Sequence, residues 1–165
     1  MDYKLRSWKE SDLTNLVKYA NNWEIAKNLT DKFPFPYHEE DGKAFINSAL
    51  HHKSALLLAI DVNNDAVGSI GVFPQDDIHK MNAELGYWLA EPFWNKGIIT
   101  KAIQEIVSLS FNKFKINRIF ARPFGSNLAS QKVLEKAGFT LEVKFEKTVL
   151  KNNQFEDELI YAIRK

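Results

Sequence analysis

The segment from residue 82 to residue 100 has the residue types and spacing of an anion-binding site. A strand pattern ends at Leu89, a short loop follows, and a long amphipathic helix pattern begins near Gly97. The first N–H groups of a helix have no partners within the helix and lie at the positive end of its dipole. Lys96 adds a positive charge beside them. The segment therefore predicts a site for a phosphate or a pyrophosphate.

The order of residues in this loop excludes two familiar phosphate-binding motifs. A P-loop requires G-x-x-x-x-G-K-[ST], but here Lys96 precedes Gly97. A dinucleotide-binding fingerprint requires G-x-G-x-x-G, and only Gly97 is present. One glycine alone also fits an ordinary loop, so the anion-binding interpretation depends on the rest of the chain.

Composition excludes several other classes of protein. The 165 residues include no cysteine, which excludes a disulfide scaffold, a zinc ribbon and a thiol nucleophile. Lys and Arg number 22 against 21 Asp and Glu, so the net charge of +1 does not suggest a nucleic-acid partner. The N-terminus has no apolar signal segment, and the longest purely apolar run, Ala55 to Ile60, is too short to cross a bilayer. We therefore expect a cytoplasmic protein without a membrane partner.

The elements that must position the anion site follow from the hydrophobic pattern. It predicts one domain over residues 1–165 with the order β-α-α-β-β-β-α-β-α-β-β. Segment 21–37 is aromatic and is expected to be irregular. The predicted helices cover about residues 11–20, 38–52, 97–114 and 127–137, and the predicted strands cover 2–8, 54–61, 66–73, 82–89, 117–121, 140–149 and 155–163. The fold class is α/β (α+β), a mixed, mostly antiparallel sheet of about seven strands flanked by about four helices.

A second motif, NLASQKVLEKAGF at residues 127–139, follows the long helix by one strand. Together with AELGYWLAEPFWNKGIIT at residues 83–100, it resembles the GNAT family of N-acetyltransferases, which use acetyl-CoA. The C-terminal segment KFEKTVLKNNQFEDELIYAI resembles the last hairpin of the Rim-type subgroup, which acetylates the N-termini of ribosomal proteins. The resemblance covers nearly the whole chain and implies a single GNAT domain with acetyl-CoA as co-substrate and no metal.

The resemblance also implies residues that bind acetyl-CoA. The N–H of Leu89 would bind the thioester carbonyl or the pantetheine arm, and Asn127 would hydrogen-bond that arm, although Asn127 could equally cap a helix. The chain departs from the family pattern Q/R-x-x-G-x-G/A, with Trp94 at the first position and Ile99 at the last. The pyrophosphate would be held by the backbone N–H groups of Asn95, Lys96, Gly97, Ile98, Ile99 and Thr100.

Catalysis in such a family requires an amine to lose a proton, to attack a thioester and to expel a thiolate. Direct attack in a ternary complex needs no enzyme nucleophile, which agrees with a chain that has no cysteine. Glu84 is the candidate general base, and its alternative role is that of a salt-bridged surface residue. Many family members place a tyrosine acid where Leu134 stands, so the resemblance implies Ser130 as the substitute. Ser130 could instead only form hydrogen bonds in the first turn of its helix.

The acceptor is the least defined part of the prediction. Trp23, Phe35, Tyr37 and His79 are the candidate acceptor-binding residues, and core packing is the alternative for the aromatic ones. A protein N-terminal amine, such as that of a ribosomal protein, is the favoured acceptor. A polyamine or an aminoglycoside would require acidic groups, for which Asp76-Asp77 or Glu39-Glu40-Asp41 could serve. A non-catalytic CoA-binding module is the alternative from another class, and the chain could be a monomer or a homodimer.

Overall fold

Seven strands form one mixed sheet in the computed structural model, which describes residues 1–165. The strand order is β1-β2-β3-β4-β5-β7-β6, and only β4 and β5 run parallel. The predicted mixed, mostly antiparallel sheet is confirmed. The strands are β1 Lys4–Arg6, β2 Leu56–Val62, β3 Asp65–Pro74, β4 Asn82–Leu89, β5 Arg118–Ala121, β6 Thr140–Lys151 and β7 Gln154–Arg164.

Five α-helices accompany the sheet, one more than the pattern predicts. The additional helix, α2, lies in the segment that was expected to be irregular, and the side chain of Asn22 caps it by accepting a hydrogen bond from the Glu24 N–H at 2.9 Å. None of the helices has the length and apolar character that crossing a membrane requires. The helices are α1 Leu13–Ala20, α2 Trp23–Ala26, α3 Glu39–His51, α4 Ile98–Lys113 and α5 Leu128–Lys136.

Apolar side chains are buried on both faces of the sheet. On one face, Ile103 and Ile106 of α4 pack into a cluster that also holds Ile60 and Leu89. On the other, α1, α2 and α3 pack into a second cluster that includes the strand neighbours of those residues, Ala59 and Trp88. Consecutive residues of a strand point to opposite faces. The two clusters therefore lie on opposite sides of the sheet.

The two parallel strands separate near the middle of the sheet. Residues Asn82–Glu84 of β4 pair with Arg118–Phe120 of β5, and the pairing stops there although β4 continues to Leu89. Beyond β5 the chain instead approaches β7, where Phe124 forms a bridge with Glu158. The opening between the carboxyl ends of neighbouring parallel strands is where open α/β sheets place their ligands.

Candidate active site

A cleft with a cavity volume of about 630 Å³ fills the opening between β4 and β5. One wall consists of Glu84 to Leu89 of β4, and the facing wall consists of Ala121 and Arg122 with the start of α5. The loop before α4 closes one end, and residues between Glu24 and Thr30 line another side. The cleft thus joins the two motifs that are separate in the sequence.

Backbone N–H groups are concentrated at the end of the cleft where α4 begins. Asn95 and Gly97 have the left-handed φ values of 60° and 74°, and Gly97 is the N-cap of α4 without a side-chain cap. None of the N–H groups from Asn95 to Thr100 donates to an acceptor within the protein. Free N–H groups at a helix N-terminus fit a pyrophosphate. Asn95, Gly97, Ile98 and Ile99 line the cavity, whereas Lys96 and Thr100 do not.

Trp94 connects this loop to the end of β4. Its indole Nε1 donates a hydrogen bond to the carbonyl oxygen of Leu89 at 2.6 Å. Leu89 is itself 6% exposed and lines the cleft. The residue that departs from the family pattern therefore anchors the loop to the strand that would contact the thioester.

Glu84 forms a bidentate ion pair with Arg122. Arg122 Nε lies 2.9 Å from Glu84 Oε1 and Nη2 lies 3.2 Å from Oε2. The hydrogen bond to Glu84 raises the pKa of the Arg122 guanidinium above its ordinary value. The structure thus shows the salt-bridged arrangement that was the alternative for Glu84, but it places the pair on the cleft wall, with Glu84 29% exposed. Its role as a base stays a prediction.

Arg122 is a cleft residue that was not predicted from the sequence. Glu84 is the register partner of Phe120 on the neighbouring strand, and Arg122 follows Phe120 by two residues. Side chains two residues apart along a strand share a face. The position of Arg122 just beyond a strand parallel to β4 was therefore a signal that could have placed it beside Glu84.

Ser130 lies in the cleft and is held by two contacts. Its N–H donates to Asn127 Oδ1 at 3.2 Å, so Asn127 caps α5. The Ser130 hydroxyl is hydrogen-bonded to the Tyr87 hydroxyl at 2.5 Å. Burial raises the pKa of Tyr87 to about 12, while the bond to Ser130 opposes the rise. Leu134, at the position of the family's tyrosine, is fully buried in the core.

The candidate acceptor residues do not line the cleft. Tyr37 is only 5% exposed and packs beside Phe33, with ring centroids 5.3 Å apart. The rings of Phe35 and Trp23 pack with their centroids 5.5 Å apart, and neither residue lines the cavity. His79 precedes β4, whereas the cleft is at the other end of that strand. The residues of this part of the chain that line the cavity lie between Glu24 and Thr30 instead.

The charged side chains that line the cleft occur as two ion pairs. Glu84 pairs with Arg122, and Glu24 pairs with Lys27. The acidic groups at Asp76-Asp77 and Glu39–Asp41 do not line the cavity. No group of three or more His, Asp or Glu side chains is arranged to hold a metal ion. The cleft therefore has no excess of either charge among its lining side chains.

Comparison with known proteins shows relatives over most of the chain. Residues 3–140 match the family model described as an acetyltransferase (GNAT) domain. The uncharacterised N-acetyltransferase YnaD of Bacillus subtilis (strain 168) is 27% identical over 160 residues, 96% of this chain and 91% of YnaD. The ribosomal-protein-serine acetyltransferase of Escherichia coli (strain K12) is 28% identical over 132 residues, 78% of this chain and 73% of the relative.

A solved structure agrees with the observed architecture. The crystal structure of the microcin C7 self-immunity acetyltransferase MccE, in complex with acetyl-CoA and AMP, superposes with a TM-score of 0.85 at 25% identity. The match covers 99% of this chain and 93% of that one. The fold is thus shared with an acetyltransferase whose structure was solved in complex with acetyl-CoA.

Proposed function

This chain belongs to the GNAT acetyltransferase family and is an acetyl-CoA-dependent N-acetyltransferase, and we propose that its acceptor is the N-terminal amine of a protein. The proposal places the chain with the Rim-type subgroup that its C-terminal segment resembles. The relative from Escherichia coli named for a ribosomal protein supports this assignment.

The balanced charge of the cleft is the observation that supports the acceptor most strongly. A polyamine or an aminoglycoside carries several positive charges, and a site for it gains affinity from an excess of carboxylates. Here the two lining carboxylates, Glu24 and Glu84, are each paired with a cation, Lys27 and Arg122. A peptide N-terminus brings one amine on a largely neutral backbone, and it requires no such excess.

The residues at the start of α4 bind the co-substrate in this proposal. The unpaired N–H groups from Asn95 to Thr100 donate hydrogen bonds to the pyrophosphate, and Leu89 and Asn127 bind the arm that leads to the thioester. Acetyl-CoA supplies the acetyl group as an activated thioester. Trp94 stabilises the arrangement, because its bond to Leu89 fixes the loop relative to β4.

The two catalytic residues act on opposite sides of the reacting carbonyl carbon. Glu84 accepts the proton of the attacking amine through a water, as the new C–N bond forms. Ser130 donates a hydrogen bond to the sulfur as the C–S bond breaks and the sulfur keeps the electron pair. The amine attacks directly, so no acetyl group is attached to the protein at any stage.

An acceptor panel tests this proposal. We expect calorimetry to show acetyl-CoA binding, and CoA release to require a peptide with a free N-terminus. The matched variants Lys27→Gln and Glu24→Gln change the cleft charge by the same amount in opposite directions. We expect neither the native protein nor Glu24→Gln to use spermidine or kanamycin, and Lys27→Gln to gain at most weak use of them. Efficient use of spermidine by the native protein would contradict the proposed acceptor, and binding without turnover on any amine would indicate a non-catalytic module.

A further inference from the structure

The hydroxyl groups of Tyr87 and Ser130 form a hydrogen bond in the cleft. They lie 2.5 Å apart, and both residues line the cavity. Tyr87 extends from β4 and Ser130 from the first turn of α5, so the contact crosses the cleft between residues 43 positions apart in the chain. Neither motif of the sequence contains both residues.

Both hydroxyl groups can act as donor or as acceptor in this hydrogen bond. Ser130 Oγ is the only protein atom that is hydrogen-bonded to the Tyr87 hydroxyl. A tyrosine hydroxyl keeps its proton at neutral pH, and burial raises the pKa of Tyr87 further, to about 12. A serine hydroxyl has one proton and two lone pairs. When Tyr87 donates, Ser130 accepts with a lone pair, and the proton of Ser130 is free to point to a ligand in the cleft.

We propose that Tyr87 is a positioning residue that directs the Ser130 hydroxyl proton toward the departing sulfur of CoA. The inference rests on the proposed function and deepens it. As the C–S bond breaks, the sulfur takes the electron pair, and Ser130 donates a hydrogen bond to the resulting thiolate. Tyr87 donates to Ser130 at the same time, which strengthens the Ser130 bond because successive hydrogen bonds polarise one another. The thiolate takes its proton from solvent after CoA departs.

The thiol of bound CoA provides a readout that requires no acceptor and no turnover. The chain has no cysteine, so the only thiolate in the complex with CoA is that of the ligand. Its ionisation is followed by ultraviolet absorbance against the complex with desulfo-CoA, which removes the contribution of the tyrosines. A hydrogen bond to the thiolate lowers the pKa of the thiol. If Tyr87 acts through Ser130, the pKa of bound CoA depends on both residues together.

The expected results follow from the double-mutant cycle. Tyr87→Phe keeps the buried ring, and both Tyr87→Phe and Ser130→Ala should raise the pKa of bound CoA by about 1 pH unit. The double variant should equal Ser130→Ala alone, because Tyr87 has no other route to the sulfur. With an acceptor present, Tyr87→Phe should lower kcat about tenfold and leave KM for acetyl-CoA unchanged. The matched control is Tyr161→Phe, which removes a hydroxyl that donates to Glu135 outside the cleft and should leave the pKa unchanged.

Two results would overturn the inference. One is a pKa of bound CoA that Tyr87→Phe does not change, and the other is an effect of Tyr87→Phe that persists in the Ser130→Ala background. Calorimetry with CoA separates this failure from that of the proposed function. A protein that binds CoA but acetylates no amine contradicts the proposed function, while the thiol titration still decides the role of Tyr87. A protein that binds no CoA contradicts both.

Discussion

Arg122 holds Glu84 through two hydrogen bonds at the place where β4 and β5 separate, with N–O distances of 2.9 and 3.2 Å. Each oxygen of a carboxylate has two lone pairs, so a bidentate pair leaves one on each oxygen for another partner. The ion pair therefore fixes the orientation of Glu84 without using its full capacity to accept. Glu84 stays available to a water or an ammonium group in the cleft.

Replacing Glu84 tests whether it acts on the amine. We expect Glu84→Gln to lower kcat about 100-fold, because a positioned general base contributes at least that factor. The affinity for acetyl-CoA should not change, since Glu84 is not among the residues proposed to bind acetyl-CoA. Glu24→Gln is the control, because Glu24 also lines the cleft and is also paired with a cation. Steady-state kinetics in which Glu84→Gln retains its kcat would exclude Glu84 as the base.

Replacing Gly97 tests the anion site. Its φ of 74° is costly for other residues, although a Cβ at this position would meet no atom within 4 Å. Gly97→Ala should displace the loop and weaken acetyl-CoA binding about tenfold, equivalent to roughly 1–2 kcal/mol of strain. Gly138→Ala is the matched control, because Gly138 has a φ of 100° at the end of α5 and does not line the cleft. Both variants should lose stability, and calorimetry should show weaker binding only for Gly97→Ala. Equal acetyl-CoA affinity in the two variants would contradict the assignment.

One isosteric substitution separates the two expected roles of Asn127, helix capping and binding of the pantetheine arm. Its Oδ1 caps α5, whereas its Nδ2 has no hydrogen-bond partner in the protein. Asn127→Asp keeps the capping oxygen and removes the Nδ2 donor, so the Tm should be preserved. If the amide binds the pantetheine arm, the Kd for acetyl-CoA should rise about fivefold to tenfold. If the Kd of Asn127→Asp for acetyl-CoA is unchanged while Asn127→Ala has a lower Tm, Asn127 acts only as a helix cap.

The buried ion pair between Arg6 and Asp12 should make the free energy of unfolding depend on pH in the acidic range. The guanidinium donates to both carboxylate oxygens at 2.8 Å, and Asp12 is only 5% exposed. Burial raises the pKa of Asp12, but the bonds from Arg6 and the Lys9 N–H outweigh it and hold that pKa below its ordinary value. Because the folded pKa is the lower one, the stabilisation is present above about pH 4 and is lost as the pH falls through the folded pKa.

The measurement is urea unfolding of Asp12→Asn across this pH range. We expect the free energy of unfolding to fall by about 3 kcal/mol at neutral pH and the difference to shrink in acid. Glu39→Gln is the control, because Glu39 forms an exposed pair with Lys43 and should cost less than about 1 kcal/mol. A loss in Asp12→Asn that is constant from neutral to acid pH would contradict the ion-pair origin.

The hydrophobic pattern predicted the helices and strands that are long enough to show a repeat of apolar side chains. The apolar positions Ala102, Ile103 and Ile106 mark one side of a 16-residue helix, and the side-chain periodicity of such a helix is visible in one dimension. The four-residue helix at Trp23–Ala26 is too short to show a period, so only its cap at Asn22 could have indicated it.

The backbone features of the candidate site could be predicted from the sequence, but the contacts between its side chains could not. The free N–H groups follow from the position of Gly97 before a helix, which the sequence displays. The bond between Tyr87 and Ser130 does not, because alternation places Tyr87 on the apolar face but cannot identify a partner 43 residues away. Residue type also could not distinguish the cleft wall from the core, and Tyr37 proved to be in the core.

The position of the new acetyl group on a peptide tests whether the acceptor is the N-terminal amine of a protein. The peptide carries one free N-terminal amine and one lysine, which provides a competing amine in the same molecule. After incubation with acetyl-CoA and the native protein, fragmentation mass spectrometry locates the group. We expect acetylation of the N-terminal amine, none on the lysine, and none when the N-terminus is blocked beforehand. A peptide that stays unmodified while spermidine in the same reaction is acetylated would contradict it.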